Sequence, residues 1–456
     1  MRFQPINVLV VELSQGVPTV EGLHAYATLK ALVRLHGEPL GWVELPLVNG
    51  HCRAAALSKA ILAQHGWAIV RHLVRDGLTH PLPPHGLRLE ALLALPHPTY
   101  RGPTPTVTVA VCTRAREAEL ARCLDALTRL RYPALELLVV DNAPRNAATR
   151  ELVTTRYPQV RYVCEPRPGL NWARNRAIAE AQGEILAYTD DDVIVDPGWV
   201  HALAQVFAEN PEVMAVTGLV VPYELETQAQ LWFERYGGFG RGFERRWYLV
   251  DPEDRRHVVR DYGWAGLFGT GANMAFRRSL FQRIGVFDPA LDVGTATNGG
   301  GDLEMFFRVM KEGYPLVYEP AALVRHRHRR DYASLRTQLA NNGVGFSAYM
   351  VRSALAYPDE RIAFMRMWFR WLFQWHLRRV VRSIRGTDPF PRAMILAELW
   401  GYFVGLGRYQ QACRAAEQIA LRGYSAHEQY IAPAPAYRSH EAASSTLPIQ
   451  PIEGEV

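Results

Sequence analysis

Glu184-Ile-Leu-Ala-Tyr-Thr-Asp-Asp-Asp-Val-Ile-Val-Asp-Pro-Gly-Trp199 sets an acidic triplet at the end of an apolar run. Glu184 to Thr189 reads as a buried strand, and the acidic triplet Asp190, Asp191 and Asp192 follows at its end. Asp196-Pro197 then reads as an N-cap with proline at the first helical position. This puts three carboxylates at the end of a strand, where open α/β sheets bind ligands. Crowded carboxylates raise one another's pKa unless a cation sits among them. Asp190 and Asp192 lie two apart, so both can converge on one divalent ion or on sugar hydroxyls beside it. Taken alone, the triplet reads equally well as a solvated acidic turn.

Its neighbours shift that balance. From Val107 onward, short apolar runs (107–111, 135–140, 160–164) alternate with helical stretches near 117–131 and 146–156. Asn171 can cap a further helix that runs to Gly183. Such alternation predicts a mostly parallel sheet with helices on its faces. Chemistry-bearing residues recur at the strand ends. Cys112-Thr-Arg-Ala-Arg116 offers backbone amides and Arg114 to a phosphate or a base edge. Asp141-Asn142 offers a lone carboxylate to a ring N–H. Pro168-Gly-Leu-Asn-Trp-Ala-Arg-Asn175 opens a helix whose N-terminus attracts anions, with Arg174 nearby. Each of these three is also an ordinary turn, cap or surface residue when read singly. Together at one sheet edge they favour a nucleotide–metal site. Further along, Gly299-Gly-Gly-Asp-Leu-Glu304 sets Asp302 and Glu304 after three glycines, which allow close backbone approach. Asp302 reads as a general base or simply as a helix cap, and Glu304 as a substrate contact or a partner of the helix dipole. His326, in Val324-Arg-His-Arg-His328, suits manganese or a similar ion, although a single histidine is more often structural.

The bulk numbers bound the class. At 456 residues and 48% hydrophobic composition the chain has room for two or three domains. Its 51 basic and 45 acidic residues give a net charge of +6, spread too widely to name nucleic acid as a partner. Five scattered cysteines suit a reducing cytoplasm and form no zinc knuckle. No signal peptide is legible, and no window holds the roughly 18 uncharged apolar residues of a membrane span. Residues 1–100 read as an α+β accessory unit with a strand at Val8–Glu12, a hairpin turning at Gly37-Glu38-Pro39 and a helix over 53–73. Nothing in that unit carries recognisable chemistry. A proline-rich stretch, Pro96 to Pro105, reads as the linker. Residues 331–430 read as helical and 431–456 as a disordered tail. Phe364, Trp368, Trp371 and Trp375 share one helical face beside Arg366, Arg370 and Arg378. That pattern suits a helix lying in a membrane interface, or one docking on the central domain, the latter being the commoner case.

Over residues 105–330 these elements, in this order, resemble a family 2 glycosyltransferase with the GT-A fold. Val-Ala-Val-Cys-Thr-Arg matches the opening strand, Leu-Val-Val-Asp-Asn the nucleobase aspartate, and Thr-Asp-Asp-Asp the DxD motif. Gly269-Thr-Gly-Ala-Asn273 matches the glycine loop near the sugar. The resemblance implies an α/β, Rossmann-like GT-A domain (105–330) between the N-terminal unit and the helical region. It implies inverting transfer of a sugar from a nucleotide-diphosphate sugar to an acceptor hydroxyl, with Mn²⁺ or Mg²⁺ as cofactor. Asp302 becomes the catalytic base; Thr113, Arg114, Asp141, Gly169, Arg174, Asn175, Asp190 and Asp191 become donor contacts. Gly271, Asn273 and Glu304 become the acceptor and sugar loop, and Asp190, Asp192 and His326 the metal ligands. The expected setting is the cytoplasm, at the inner face of the plasma membrane if the helices bind lipid, in polysaccharide, glycolipid or secondary-metabolite glycosylation. The opening motif departs from the usual Pro-Thr-Tyr-Asn, and Gly301 stands where the family usually has glutamate. The competing readings are a sugar nucleotidyltransferase, disfavoured because Cys112–Arg116 lacks glycine, and a catalytically inactive binding scaffold, which Gly301 keeps open.

Overall fold

The computed structural model describes residues 3–77, 100–251 and 257–422. The expected disordered tail, the stretch 78–95 and the first residues of the proline linker lie outside them. Strand β1 (Ile6–Glu12) pairs parallel with β2 (Thr28–Leu35), which turns through His36-Gly37 into antiparallel β3 (Glu38–Pro46). Both turn residues have positive φ, 51° and 84°, as a two-residue hairpin that follows the strand twist requires. Helix α1 (Ala54–Gly77) covers one face of this sheet. Leu57, Ile61, Ile69 and Leu73 meet Leu29, Ala31, Val33 and Leu35 there. Leu32, on the opposite face, belongs to the main core instead. The period of two along β2 therefore buries both faces and seats the N-terminal unit on the rest of the chain.

The central unit runs β4 (Val107–Thr113), α2 (Glu117–Leu127), β5 (Leu135–Asn142), α3 (Ala148–Arg156), β6 (Arg161–Glu165), α4 (Leu170–Glu180), β7 (Ile185–Asp190), β8 (Val193–Val195), α5 (Trp199–Glu209), β9 (Ala215–Pro222), α6 (Gln228–Tyr236), β10 (Arg246–Tyr248), α7 (Val258–Tyr262), β11 (Asn273–Arg277), α8 (Leu280–Ile284), α9 (Gly301–Lys311) and β12 (Leu316–His326). The sheet order is β10-β12-β9-β11-β7-β4-β5-β6, with β8 on β12. β6, β5, β4 and β7 are parallel, whereas β11 lies antiparallel between β7 and β9. Val107, Val109 and Val111 pack with α2 and α5 on one face, while Ala110 packs with α4 and α9 on the other. Burial on both faces explains why these strands read as continuous apolar runs rather than alternating ones.

Two boundary expectations shift. Helix α5 starts at Trp199, not Pro197, because Asp196 forms a turn: its Oδ1 accepts from the Gly198 N–H at 3.0 Å. Helix α4 starts at Leu170, so Asn171 lies inside it and is not its cap.

The C-terminal region comprises α10 (Tyr332–Ala356), α11 (Arg361–Trp371), a π-helical turn (Leu372–Leu377), α12 (Arg378–Ile384) and α13 (Arg392–Leu421). Helices α10 and α13 touch backbone to backbone. A Cβ on Gly401 would sit 2.0 Å from Ala340 O, and one on Gly343 would sit 2.3 Å from Glu398 O. The aromatic face packs inward, the docking arrangement of the two that the sequence offered. Phe364 is buried, Trp368 stacks on Tyr402 with centroids 4.9 Å apart, and Trp375 Nε1 donates to Glu398 at 3.2 Å. A different stripe, Ile362, Met365, Phe369 and Phe373, faces outward. Among the described residues no helix is long and apolar enough to cross a membrane.

Arg34 in β2 ties the N-terminal unit to the central unit. Its Nη1 lies 2.5 Å from Asp196 Oδ2, and its Nε and Nη2 donate to Gly37 O. Removing one partner of a buried pair leaves an uncompensated charge. Arg34→Met is therefore expected to cost about 3 kcal/mol in urea unfolding, and a loss below about 1 kcal/mol would show the pair to be incidental.

Candidate active site

The parallel strands β4, β5 and β7 end in register, with Cys112 beside Asp190 and Thr113 beside Asp141. The topology thus gathers four sequence-distant segments at one sheet edge. Asp191 and Asp192 are buried there, and Arg116 spans them: Nη1 to Asp191 Oδ1 at 2.5 Å and Nη2 to Asp192 Oδ2 at 2.9 Å. Thr113 Oγ1 donates to Asp191 Oδ2 at 2.7 Å. Burial pushes Asp191 up to about 7 despite Arg116, and burial with Asp192 beside it pushes Asp190 to about 6. Burial acts on Asp192 too, but His326 and Arg116 outweigh it and hold that carboxyl well below the usual range.

His326 reaches the triplet from the end of β12, with Nε2 3.2 Å from Asp192 Oδ1. Behind it, His326 Nδ1 lies 3.1 Å from His328 Nδ1, and His328 Nε2 lies 2.9 Å from Glu234 Oε1. With His328 donating to the glutamate, its Nδ1 accepts from His326, which leaves the Nε2 lone pair of a neutral His326 facing Asp192. Two acceptors then confront one another, and Asp192 Oδ1 is buried without a well-aligned hydrogen bond. A cation resolves that conflict: either a proton, which Asp192 favours by raising His326 against its burial, or a metal. Ligand atoms of Asp190, Asp192 and His326 lie within 4.8 Å of one another, and two carboxylates with an imidazole suit Mn²⁺.

Asp302 sits in the first turn of α9, half-buried. Its Oδ2 accepts from the Gly271 N–H at 2.8 Å and its Oδ1 from the Leu303 N–H at 2.9 Å. It is not the cap; that position belongs to Gly300, at φ 92°. The close approach that the glycines allow is to helix α10, since a Cβ on Gly300 would lie 2.4 Å from Gly345 O. The place of a side chain at Gly301 is filled by Asn171 Nδ2 and Asp292 Oδ2, 2.4 and 2.6 Å from where its Cβ would be. Burial and Asp292 raise the Asp302 carboxyl, and Arg174 works against them. Gly271 is equally confined, because a Cβ there would come within 2.6 Å of Arg174 Nη2. Asp141 is fully buried; its Oδ2 accepts from Tyr162 OH at 2.9 Å, its Oδ1 has no hydrogen bond, and burial raises its pKa.

Several expected contacts serve the fold instead. Asn273 Oδ1 accepts from Trp199 Nε1, while its Nδ2 donates to Leu219 O and Ala322 O. Asn175 exchanges both hydrogen bonds with the Phe287 backbone. Glu304 is fully buried, and its carboxylate is held by Arg308 and Arg352. The amides of Gly169 and Leu170 are taken by Asn142 Oδ1 and Val293 O, so the start of α4 does not offer them to an anion. Arg174 is bound by Asp292 Oδ2 at 2.5 Å and Asn171 Oδ1 at 3.0 Å. Arg114 is exposed, and Arg116 is the arginine that turns inward, because Ala115 adopts φ 51°. Arg116 and Asp292 were not foreseen. A left-handed alanine has no sequence signature, and Asp292 belongs to none of the motifs, lying seven residues before the Gly299 run.

The glycosyl transferase family 2 model matches residues 108–285. Residues 108–285 form a family 2 glycosyltransferase domain. Around it the chain shows a mixed α/β sheet with a parallel centre, followed by a C-terminal helical region. Polypeptide N-acetylgalactosaminyltransferase 5 of Caenorhabditis elegans is 28% identical over 36% of this chain and 26% of its own length. Glucosyl-dolichyl phosphate glucuronosyltransferase of Haloferax volcanii is 24% identical over 48% of this chain and 69% of its own. The chain thus spans about a quarter of the first relative and somewhat over two thirds of the second. A mannosyltransferase from Pyrobaculum calidifontis, solved with GDP-Man and Mn²⁺, superposes with a TM-score of 0.38 at 19% identity, covering 81% of this chain and 88% of that one. In the family 2 domain Asp190 and Asp192 carry the DxD pattern, and Asp302 follows the matched segment on α9.

The buried ion pairs of Glu304 predict a structural phenotype. Glu304→Gln leaves two arginines underneutralised and is expected to cost about 3 kcal/mol. Nucleotide affinity of the folded protein should be unchanged by calorimetry; a large loss of affinity at normal stability would return Glu304 to the binding site.

Proposed function

We propose that this chain is an inverting, metal-dependent glycosyltransferase moving a sugar from a nucleoside-diphosphate sugar to an acceptor hydroxyl. The observation that carries this reading is the placement, on one edge of a family 2 domain, of a two-carboxylate, one-imidazole cluster and a half-buried aspartate held by Gly271. Asp141 Oδ1, buried and without a hydrogen bond, is the acceptor for a ring N–H of the base. Asp190, Asp192 and His326 would hold Mn²⁺ or Mg²⁺, which supplies charge neutralisation at the diphosphate leaving group when bound. Asp302 keeps spare lone pairs on both oxygens, and its carboxylate takes the proton of the acceptor hydroxyl as that oxygen attacks the sugar from the opposite face. The filled space at Gly301, with Asp292 beside it, supports an intact rather than a degenerate site. A lipid-linked acceptor at the inner membrane face is supported by the outward stripe of Ile362, Met365, Phe369 and Phe373 beside Arg366 and Arg370. A glycan or small-molecule hydroxyl is the other acceptor class.

Asp302→Asn is expected to lower turnover by roughly 10²–10⁴-fold while leaving donor affinity within about twofold. Near-normal turnover in that variant would remove Asp302 from the base role. The base acts deprotonated, so kcat/KM should rise with pH through the Asp302 pKa. Because that pKa is raised, the rising limb should lie above the ordinary aspartate range of about 4. A limb at or below that range would contradict the assignment.

A further inference from the structure

The N-terminal unit, in which the sequence shows no chemistry, contains a second convergence of ligand atoms. His36, in the β2–β3 turn, and His72 and Asp76, one turn apart near the end of α1, point at one place. His36 Nδ1 lies 3.0 Å from His72 Nε2 and 3.1 Å from Asp76 Oδ2, and His72 Nε2 lies 3.2 Å from the same oxygen. His72 and Asp76 are buried, and His36 is partly so.

A near-equilateral triangle of two nitrogens and one carboxylate oxygen is poorly served by protons. Each ring can donate to Asp76, but two N–H groups then face one another across 3.0 Å. Metal–ligand bonds of about 2.0–2.2 Å put neighbouring ligand atoms roughly 2.8–3.1 Å apart at right angles and roughly 3.3–3.6 Å apart at tetrahedral angles, and the 3.0–3.2 Å separations here fall in and between those ranges. The surroundings fit too. Glu38 Oε2 lies 3.3 Å from His72 Nδ1, so a carboxylate can take that N–H and leave the Nε2 lone pair for a metal. Arg75 Nη2, 3.1 Å from the same Nδ1, also reaches Glu38 Oε1 at 2.8 Å, so both donors have the glutamate as acceptor. Glu12 accepts the backbone N–H groups of His36 and Gly37 at 2.8 and 3.0 Å, which fixes the turn that presents His36.

We propose that His36, His72 and Asp76 form a structural site for a borderline divalent transition metal, zinc in the first instance. Two imidazoles and one carboxylate favour such an ion over Mg²⁺ or Ca²⁺. Its effect is to fasten the end of α1 to the β2–β3 turn, and through Arg34 of that strand to Asp196 of the family 2 domain. This site is separate from the Asp190–Asp192–His326 cluster and does not depend on the proposed activity.

The test is zinc stoichiometry by elemental analysis on the tag-free full chain, loaded with zinc and then dialysed against Mg²⁺ buffer. The wild type and Asp192→Asn should both keep one zinc per chain. His72→Ala should lose it, with affinity reduced more than the roughly 10–100-fold expected of an outer-shell change. Should His72→Ala fail to fold, Glu38→Gln serves: the outer carboxylate alone should weaken zinc binding roughly 10–100-fold. Zinc should also raise the Tm of the wild type and not that of His72→Ala. A wild type that retains no zinc, or equal retention in wild type, His72→Ala and Glu38→Gln, overturns the proposal. Loss of the zinc in Asp192→Asn would overturn it as well, by assigning the ion to the other cluster.

Discussion

Three carboxylates side by side at the end of β7, Asp191 and Asp192 buried and Asp190 partly so, need cations, and much of the molecule is arranged to bring them. Arg116 comes from the loop after β4, His326 from the end of β12, and Arg174 from inside α4, where it faces Asp190, Asp292 and Asp302. Each arrives on a different element, so the charge balance fixes the relative placement of β4, β7, β12 and α4 more tightly than apolar packing alone. The balance is incomplete without a further ion. Asp190 and Asp191 remain shifted upward, and Asp192 faces an imidazole whose protonation it must itself sustain. An incompletely neutralised buried cluster is costly for a scaffold and useful for a site that receives a metal-bound diphosphate.

The second arrangement on which the site depends is steric. Asp302 is placed by backbone contact between the glycine turn and α10, where Gly300 meets Gly345, and α10 is in turn braced through Gly343 and Gly401 against α13. The C-terminal helices thus act on the site from behind. The inward aromatic face of α11 extends the same packing, with Trp371 near Phe346 and Trp368 on Tyr402.

The strands were legible because burial on both faces leaves uninterrupted apolar runs, and their ends coincide with Asp141 and the Asp190–Asp192 triplet. The antiparallel insertion of β11 was not legible, since Asn273–Arg277 has the same composition as a parallel strand. Roles that depend on direction were also hidden. Gly169 and Asn171 look like an anion-binding helix start, but Asn142 Oδ1 takes the Gly169 N–H, Val293 O takes that of Leu170, and the Asn171 side chain donates to Asp288 O. Asn273 and Glu304 look exposed to substrate because polar residues usually are, yet Trp199 and Arg352 meet them inside the fold. His36 and His72 are too far apart in sequence to read as a pair.

The proposed function requires that the carboxylate cluster bind a nucleoside diphosphate through a divalent metal. The direct measurement is calorimetric binding of UDP, GDP and other nucleoside diphosphates, with and without Mn²⁺, to wild type and Asp192→Ala. One nucleotide should bind, only with Mn²⁺ present and only to the wild type. Its saturation should stabilise the fold by about 2.7 kcal/mol at a hundredfold excess over Kd. Binding of no nucleotide, or binding indifferent to both the metal and Asp192, would contradict the account.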